Sequence, residues 1–183
     1  MKSYGTLMKT GKIMEIYQFL ERGDNMSFGF PMYIHLQGNT CVVFGGGDFA
    51  ADKVEQLLRF GAKVTVISPM LCARLKALDV SGDIRYLPRK YNRGDCTSAM
   101  LCVAATNNEA VNIAISVECK AKSIPVHLSR PADFGNFTFP ETVLNEHVQL
   151  SMVGDDPAFN RHLAERLETL LPEWMHEWSQ KTT

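Results

Sequence analysis

Three consecutive glycines between a buried strand and an amphipathic helix are the feature that most restricts what this chain can fold into. The strand spans Thr40–Phe44, the glycines are Gly45-Gly46-Gly47, and a second β-branched strand follows at Lys63–Ile67. A strand, a tight turn, a helix and a second strand form a βαβ unit, which requires a parallel sheet covered by helices. The pattern therefore predicts an α/β fold.

Short apolar runs continue to alternate with helical stretches as far as residue 128. Their spacing predicts strands at 84–87, 100–104 and 126–128 and helices at 70–78 and 108–121. After residue 131 the alternation stops. There we expect short strands at 137–139 and 148–152, and a final helix that Asp156 caps and Pro172 limits. The sequence thus predicts five parallel strands followed by a smaller second region.

Composition excludes several classes of protein. The chain has 183 residues, 45% hydrophobic and 21% charged, which is typical of a globular protein and not of a disordered one. Its formal net charge of −1 provides no general attraction to nucleic acid. No apolar run reaches the ~18 residues of a membrane-spanning helix, and the N-terminal residues lack the apolar core of a signal peptide. We expect a cytoplasmic protein without nucleic-acid or membrane partners.

The cysteines and the N-terminal residues carry weaker signals. The five cysteines are odd in number and include no C-x-x-C pair, which argues against a disulfide framework or a thiolate zinc site. We expect reduced, buried thiols and no metal. Residues 1–30 either form a short docking helix or are an extension upstream of a second possible start at Met26.

The glycine turn lies where parallel sheets bind the pyrophosphate of a dinucleotide. Gly45 permits the tight turn, and Gly47 lets backbone amides approach the phosphates. Ala50 is small enough for the helix to pack against the strand, and Asp48 and Phe49 lie between. We therefore predict a Rossmann-type domain that binds NAD through these residues.

Two further segments belong to the same predicted site. Ser68-Pro69 stands at the end of the second strand, where an acidic residue usually contacts the ribose, so NAD and NADP both remain open. Pro69 and Met70 are expected beside the cofactor. Thr106 ends the fourth strand at the same sheet edge, where it contacts the cofactor or caps the helix beside Asn108.

Several motifs, in order along the chain, resemble one known family. They are residues 30–36 (FPMYIHL), 43–47 (VFGGG), 61–66 (GAKVTV), 104–108 (AATNN) and the ending at 167–172. Over residues 30–172 the chain resembles the precorrin-2 dehydrogenase/sirohydrochlorin ferrochelatase family, the dehydrogenase module of siroheme synthase. The resemblance implies a homodimer in which NAD oxidises precorrin-2, a tetrapyrrole, to sirohydrochlorin, and some members also insert ferrous iron. It also implies an extension at 1–30, an NAD-binding domain at 31–130, and a dimerisation and tetrapyrrole-binding region at 131–183.

The chain departs from that family after the fifth strand. The family usually reads Asn-x-x-Asp-x-Pro there, and its aspartate handles protons, whereas this chain reads His127-Leu128-Ser129-Arg130-Pro131. An alignment without a gap puts Arg130 at the aspartate, and one with a gap puts Ser129 there. His127 or Asp133 can replace the missing base, although a histidine bonded to the backbone and a turn aspartate are equally ordinary structural roles. We expect iron insertion to be weak or absent, because Arg130 places a positive charge near the arriving cation.

Three residues are expected to bind the carboxylates of the tetrapyrrole. Arg161 matches an arginine of the family's final helix, Asn136 matches its Asn/Asp-Phe stretch, and Arg130 follows the fifth strand. Guanidinium groups hold carboxylates through two parallel hydrogen bonds. The alternative to the enzyme is a non-catalytic tetrapyrrole- or NAD-binding protein that kept the fold but lost the catalytic aspartate.

Overall fold

The computed structural model describes residues 29–181. The chain divides into two compact units, Met1–Tyr33 and Ile34–Thr183. Within the first unit, the described residues 29–33 form no helix or strand. The two alternatives for residues 1–30 therefore fall almost entirely outside the described residues.

The second unit is built on a five-stranded sheet in which neighbouring strands pair in parallel, in the order β3-β2-β1-β4-β5. The strands are β1 (Thr40–Phe44), β2 (Lys63–Ile67), β3 (Ile84–Leu87), β4 (Leu101–Ala104) and β5 (Val126–Leu128). The predicted α/β fold with five parallel strands is confirmed. The strand order reverses at β1, and ligands of such sheets bind at the carboxyl ends of the strands beside that reversal.

Helices cover the sheet on both faces, as the alternation of its side chains requires. α1 (Asp48–Arg59) and α2 (Ala73–Val80) pack on the face that Cys41 and Val43 of β1 present. α3 (Glu109–Ala121) packs on the other face, together with the turn-rich segment 88–100. The helix expected at 70–78 begins only at Ala73, because backbone groups of the loop before it form other hydrogen bonds.

One hydrogen bond closes that loop on itself, and a second holds it against the glycine turn. The Ser68 hydroxyl donates to the Met70 carbonyl at 2.7 Å, and the Cys72 amide donates to the Gly46 carbonyl at 2.7 Å. The Met70 carbonyl and the Cys72 amide are taken by these two bonds, so α2 starts after them.

The remaining chain forms a 3-10 turn (Ala132–Phe134), an antiparallel pair β6 (Glu141–Leu144) and β7 (Gln149–Met152), and a long helix α4 (Pro157–Lys181). The strand expected at 137–139 is wrong. Phe137 and Phe139 instead pack their side chains against the sheet core, and the edge of β5 is taken by Asn136, whose amide donates to the Val126 carbonyl at 3.0 Å.

The final helix begins as predicted and ends differently. The Asp156 carboxylate accepts the amides of Ala158 and Phe159 at 2.8 and 3.1 Å, which confirms the cap. The ending at Pro172 is wrong, since α4 continues through Pro172 to Lys181. Leu171 and its neighbours pack against β6 and β7, and this burial offsets the hydrogen bond that an internal proline removes.

Within residues 29–181, no helix combines the length and apolarity needed to cross a bilayer.

Candidate functional site

The register of the sheet places four loops at one edge. Phe44 pairs with Ile67 on one side and with Ala104 on the other, and Ala104 pairs with Leu128. Because the strands are parallel, the residues that follow these four all emerge at the carboxyl edge of the sheet. The glycine turn, the loop at 68–72, the loop at 105–108 and the segment after β5 therefore converge.

Gly45 and Gly46 are required by contacts among these loops. Gly45 has a φ of +120°, and a Cβ built there would lie 2.2 Å from the Ala105 carbonyl oxygen. A Cβ on Gly46 would lie 1.9 Å from the Met70 carbonyl oxygen. Any side chain at either position forces the neighbouring backbone away, so the first part of the predicted role, a tight turn, is explained by the fold itself.

Gly47 has no such explanation within the protein. It is the N-terminal capping residue of α1, with φ −87° and ψ −177°, a conformation open to any residue. A Cβ built there meets nothing within 4 Å. The fold leaves open space at this glycine, which fits a ligand that approaches the backbone closely, as the pyrophosphate of a dinucleotide does.

The start of α1 is suited to an anion. No side chain caps this terminus, and the first helical hydrogen bond runs from the Ala51 amide to the Gly47 carbonyl at 3.0 Å. The amides of residues 48–50 therefore precede the helical ladder and point toward the open space. Ala50 is buried against the sheet, while Asp48 and Phe49 are exposed beside the turn.

The loop after β2 offers no carboxylate to a ribose. Ser68 stands in that position, and its hydroxyl is already bonded to the Met70 backbone. Pro69 and Met70 are exposed, Met70 with 79% of its surface accessible. An apolar side chain beside the glycine turn can cover a flat ring, but nothing at this position repels a 2′-phosphate.

Thr106 is part of a network within the protein. Its hydroxyl donates to the Asn112 side-chain oxygen at 2.7 Å and accepts from the Asn108 amide at 3.2 Å. The cap of α3 is Asn108, whose side chain accepts the Val111 amide at 3.2 Å. Of the two alternatives for Thr106, capping the helix thus falls to its neighbour, and contact with the cofactor stays a prediction.

Asn112 is a site-forming residue that sequence reasoning missed. It is fully buried in α3. Its side-chain NH2 donates to the carbonyls of Thr106 at 3.1 Å and Arg130 at 2.9 Å, and its oxygen accepts from Thr106. One side chain therefore ties the loop after β4 to the segment after β5. The signal for it is a polar pair on the buried face of a helix, Asn112 and Ser116, four positions apart.

The His127 side chain projects from β5 into an aromatic enclosure formed by Phe49 and Phe139. Its Nδ1 is 3.1 Å from the Phe137 carbonyl oxygen, and since a carbonyl only accepts, Nδ1 carries the proton and Nε2 keeps its lone pair. The ring stacks on Phe49 with a centroid distance of 5.9 Å and meets Phe139 edge-on at 5.2 Å. Burial lowers the pKa of His127, and Lys53 contributes in the same direction.

Lys53 lies against the same aromatic rings as His127, and the sequence analysis did not identify it. Its ammonium lies 4.8 Å from the centre of the Phe139 ring and 5.5 Å from that of Phe49. Burial lowers the pKa of Lys53, and the Glu141 carboxylate partly offsets that effect. Phe49 and Lys53 are four positions apart on α1, which places them on one helical face and was a usable signal.

The residues expected to hold substrate are spread around the edge. The Asn136 side-chain oxygen accepts the Val126 amide at 2.7 Å, so only its NH2 group is left for a ligand. Arg130 and Arg161 are exposed, and among the residues described neither forms an ion pair. Asp133 is exposed on the 3-10 turn.

The sequence pattern of the family described as "Putative NAD(P)-binding" matches residues 32–141. The chain belongs to this family. Those residues include all five strands and the glycine turn, so the prediction of a dinucleotide-binding domain is confirmed.

Curated relatives and a solved structure agree with this assignment. The chain is 34% identical over 145 residues to a siroheme synthase of Thioalkalivibrio sulfidiphilus, covering 78% of this chain and 30% of the relative. It is 36% identical over 144 residues to a siroheme synthase of Methylobacillus flagellatus, covering 78% and 31%. This chain thus spans about a third of the length of these relatives, and the resemblance to the siroheme synthase module is confirmed.

The fold is similar to that of SirC, precorrin-2 dehydrogenase, with a TM-score of 0.61 and 24% sequence identity over 77% of this chain and 70% of that one. The predicted Rossmann-type architecture is confirmed by this likeness.

Proposed function

We propose that this chain is an NAD-dependent dehydrogenase that oxidises precorrin-2 to sirohydrochlorin. The observation that carries the proposal is the open space at Gly47, before the uncapped N-terminus of α1. The similarity of 78% of the chain to siroheme synthases supports the choice of a tetrapyrrole as substrate.

In this proposal the chain's own residues bind and orient the cofactor. The amides of residues 48–50 bind the pyrophosphate, and the buried Ala50 fixes the helix against the sheet so that these amides do not move. NAD, when bound, supplies the acceptor for hydride. Pro69, Met70 and Thr106 border the same opening, since the register of the sheet brings their loops to one edge.

We assign proton removal to His127 in preference to Asp133. The bond from Nδ1 to Phe137 leaves the Nε2 lone pair of His127 available, and the lowered pKa keeps the ring neutral near pH 7, which is the form that accepts a proton. His127 also stacks on Phe49, which lies two residues after the last glycine of the turn. Asp133 is exposed and makes no side-chain hydrogen bond within residues 29–181.

The exposed guanidinium groups of Arg130 and Arg161 are proposed to bind acetate and propionate groups of the tetrapyrrole, with the Asn136 NH2 group as a third contact. Free guanidinium groups pair with carboxylates through two parallel hydrogen bonds. Arg130 also supports weak or absent iron insertion, because a guanidinium and a divalent ferrous ion about 4 Å apart repel by roughly 8 kcal/mol at an effective dielectric of 20.

A homodimer is proposed from the composition of the C-terminal region at 131–183. The buried cluster there is small, with Val143, Ala164 and Leu171 at its centre, and a two-stranded sheet is marginal by itself. Large apolar side chains are left exposed in the same region: Leu144, Val153, Phe159 and Trp174. A self-complementary contact between two copies would cover these side chains. In this division of the chain, residues 31–130 form the NAD-binding domain.

An anaerobic assay with precorrin-2 and NAD, followed by sirohydrochlorin absorbance and NADH formation, tests the activity. His127→Gln is expected to lower the rate by about 10²-fold or more at unchanged NAD affinity, and Asp133→Asn, its matched control, is expected to leave the rate unchanged. A large loss in Asp133→Asn and none in His127→Gln would reverse the assignment of the base.

The second candidate is a non-catalytic tetrapyrrole- or NAD-binding protein. Two observations favour it: Arg130 or Ser129 stands where the resemblance implies an aspartate, and Asp133 is exposed. Wild-type protein that binds NAD and the tetrapyrrole but forms neither sirohydrochlorin nor NADH would replace the enzyme with this candidate.

A further inference from the structure

Three cysteines distant in sequence meet in the core, away from the dinucleotide site. Cys96 lies in the turn-rich segment 88–100, Cys102 in β4 and Cys119 near the end of α3. All three are 0% exposed, and their sulfur atoms lie within 4.8 Å of one another. Among the described residues, no other group of three or more His, Cys, Asp or Glu side chains is close enough to share one ion.

The backbone holds these three cysteines in place. The Cys102 amide donates to the Pro125 carbonyl at 2.9 Å. The Cys96 carbonyl accepts the Ala99 amide at 3.0 Å, and the Cys119 carbonyl accepts the Ile124 amide at 2.9 Å. Since three separate segments each hold the backbone of one cysteine, the trio is a preformed set of donors.

Among the described His, Cys, Asp and Glu side chains, only the three sulfurs are grouped at this position. Glu118 is next to Cys119, and both its carboxylate oxygens are taken. One accepts the Lys122 ammonium at 2.7 Å, the other accepts the Tyr91 hydroxyl at 2.5 Å, and the Gly94 amide reaches both. Structural zinc sites use four protein ligands, so a group of three sulfurs favours an ion whose coordination is complete with three ligands.

Charge decides which such ion fits. The carboxylate of Glu118 and the ammonium of Lys122 cancel each other, so the described charges that act on Cys119 leave no net positive charge to balance thiolates. Three thiolates around a monovalent ion carry a net charge of −2, and around a divalent ion −1, whereas a trivalent ion gives a neutral complex. An uncompensated charge is strongly disfavoured in a fully buried position.

We propose that Cys96, Cys102 and Cys119 form a binding site for a trivalent thiophilic metalloid ion, of which arsenite supplies the simplest example. Each of the three S–H groups gives its proton to one hydroxyl of As(OH)3, three As–O bonds break, three As–S bonds form, and three waters leave. Arsenic stays trivalent, so no oxidant or reductant is needed. The reactants and the product are neutral, which suits an apolar core.

The segment that carries Cys96 provides a route into the core. Residues 88–100 contain no helix or strand. They are held by the Arg89–Asp95 ion pair at 2.7 Å and by the contacts of Tyr91 and Gly94 with Glu118. Cys96 and Ala99 are also buried in the core, but local opening of a short segment without helix or strand costs less than global unfolding, so a small neutral hydroxide can reach Cys96 while the sheet stays intact.

Native mass spectrometry tests the proposal without any variant. The reduced full-length chain is incubated with arsenite, and unbound arsenite is removed before the measurement. We expect one arsenic per chain and a mass gain of one arsenic atom minus three hydrogens, which counts three As–S bonds. Cys96→Ser, Cys102→Ser and Cys119→Ser are each expected to lose this species. Cys41→Ser, at a buried cysteine on the opposite face of the sheet, is the matched control and is expected to keep it.

Three results would overturn the proposal. Wild-type protein that retains no arsenic excludes the site, and this conclusion does not depend on the folding of any variant. A mass gain that corresponds to two As–S bonds with one hydroxyl kept excludes the three-sulfur geometry. Displacement of arsenic by an equal concentration of Zn(II) or Cu(I) refutes the charge argument. None of these results bears on the dehydrogenase proposed above.

Discussion

Substitution of Gly47 by aspartate separates the needs of the fold from those of the ligand. A Cβ at this position meets nothing within 4 Å, and the backbone is in an ordinary region with φ −87°. Aspartate is also among the preferred residues at a helix N-cap, a position where α1 has no side-chain cap. The variant should therefore fold at least as well as the wild type and fail to bind the cofactor.

Both effects have a magnitude. Capping by aspartate in place of glycine contributes a few tenths of a kcal/mol, and removal of a glycine from the unfolded chain adds about 0.4–1 kcal/mol. Together they stabilise by about 1 kcal/mol, which raises the Tm by about 2–4 °C in a chain of this size. A carboxylate about 4 Å from one phosphate charge costs about 4 kcal/mol at an effective dielectric of 20, or about 10³-fold in affinity.

Calorimetric NAD titration and thermal unfolding of the same samples measure the two effects. Gly47→Asn is the matched control, because it caps the helix with the same shape and no charge, and it should lose less affinity than Gly47→Asp. Unchanged NAD affinity in Gly47→Asp would show that the glycine turn is only structural. A Tm several degrees below wild type would refute the open space inferred at Gly47.

Three further outcomes follow from the contacts described. Asn112→Ala should destabilise by about 1–3 kcal/mol in urea unfolding, because it leaves the part-buried Thr106 amide and Arg130 carbonyl without this partner; the cap variant Asn108→Ala should lose only about 1 kcal/mol. His127 has a folded-state pKa below its unfolded value of 6.5, so stability should be complete above pH 6.5 and fall as the pH drops through the folded pKa. Thermal unfolding against pH should show this fall in wild type and a flatter profile in His127→Asn. Light scattering at micromolar concentration should give the mass of a dimer, and a stable monomer would contradict the burial argument for the C-terminal region.

Local chemistry accounts for what could be predicted without the structure. The apolar run that ends at Phe44 and the glycines after it predict a strand followed by a turn that only glycine permits. The helix cap at Asp156 depends on neighbours within three residues. Such features are decided by backbone geometry over a few positions, so sequence periodicity and turn residues were enough to predict the five strands and the dinucleotide-binding turn.

Tertiary packing decided the two features that local sequence patterns predicted wrongly. Phe137 and Phe139 have strand-like alternation, yet burial against the sheet core outweighs pairing with another strand. Pro172 breaks isolated helices, but the surrounding side chains pack against β6 and β7 and carry α4 through it. In both cases a contact with a distant segment contributes more than the local preference costs.

The glycine turn and the sheet were set by the sequence alone, because hydrophobic alternation and backbone freedom act between near neighbours. The network of Asn112, the enclosure of His127 and Lys53, and the meeting of Cys96, Cys102 and Cys119 were decided only by the tertiary structure. These groups come from elements far apart in sequence, and their distances depend on strand order and helix packing, which no spacing along a single chain records.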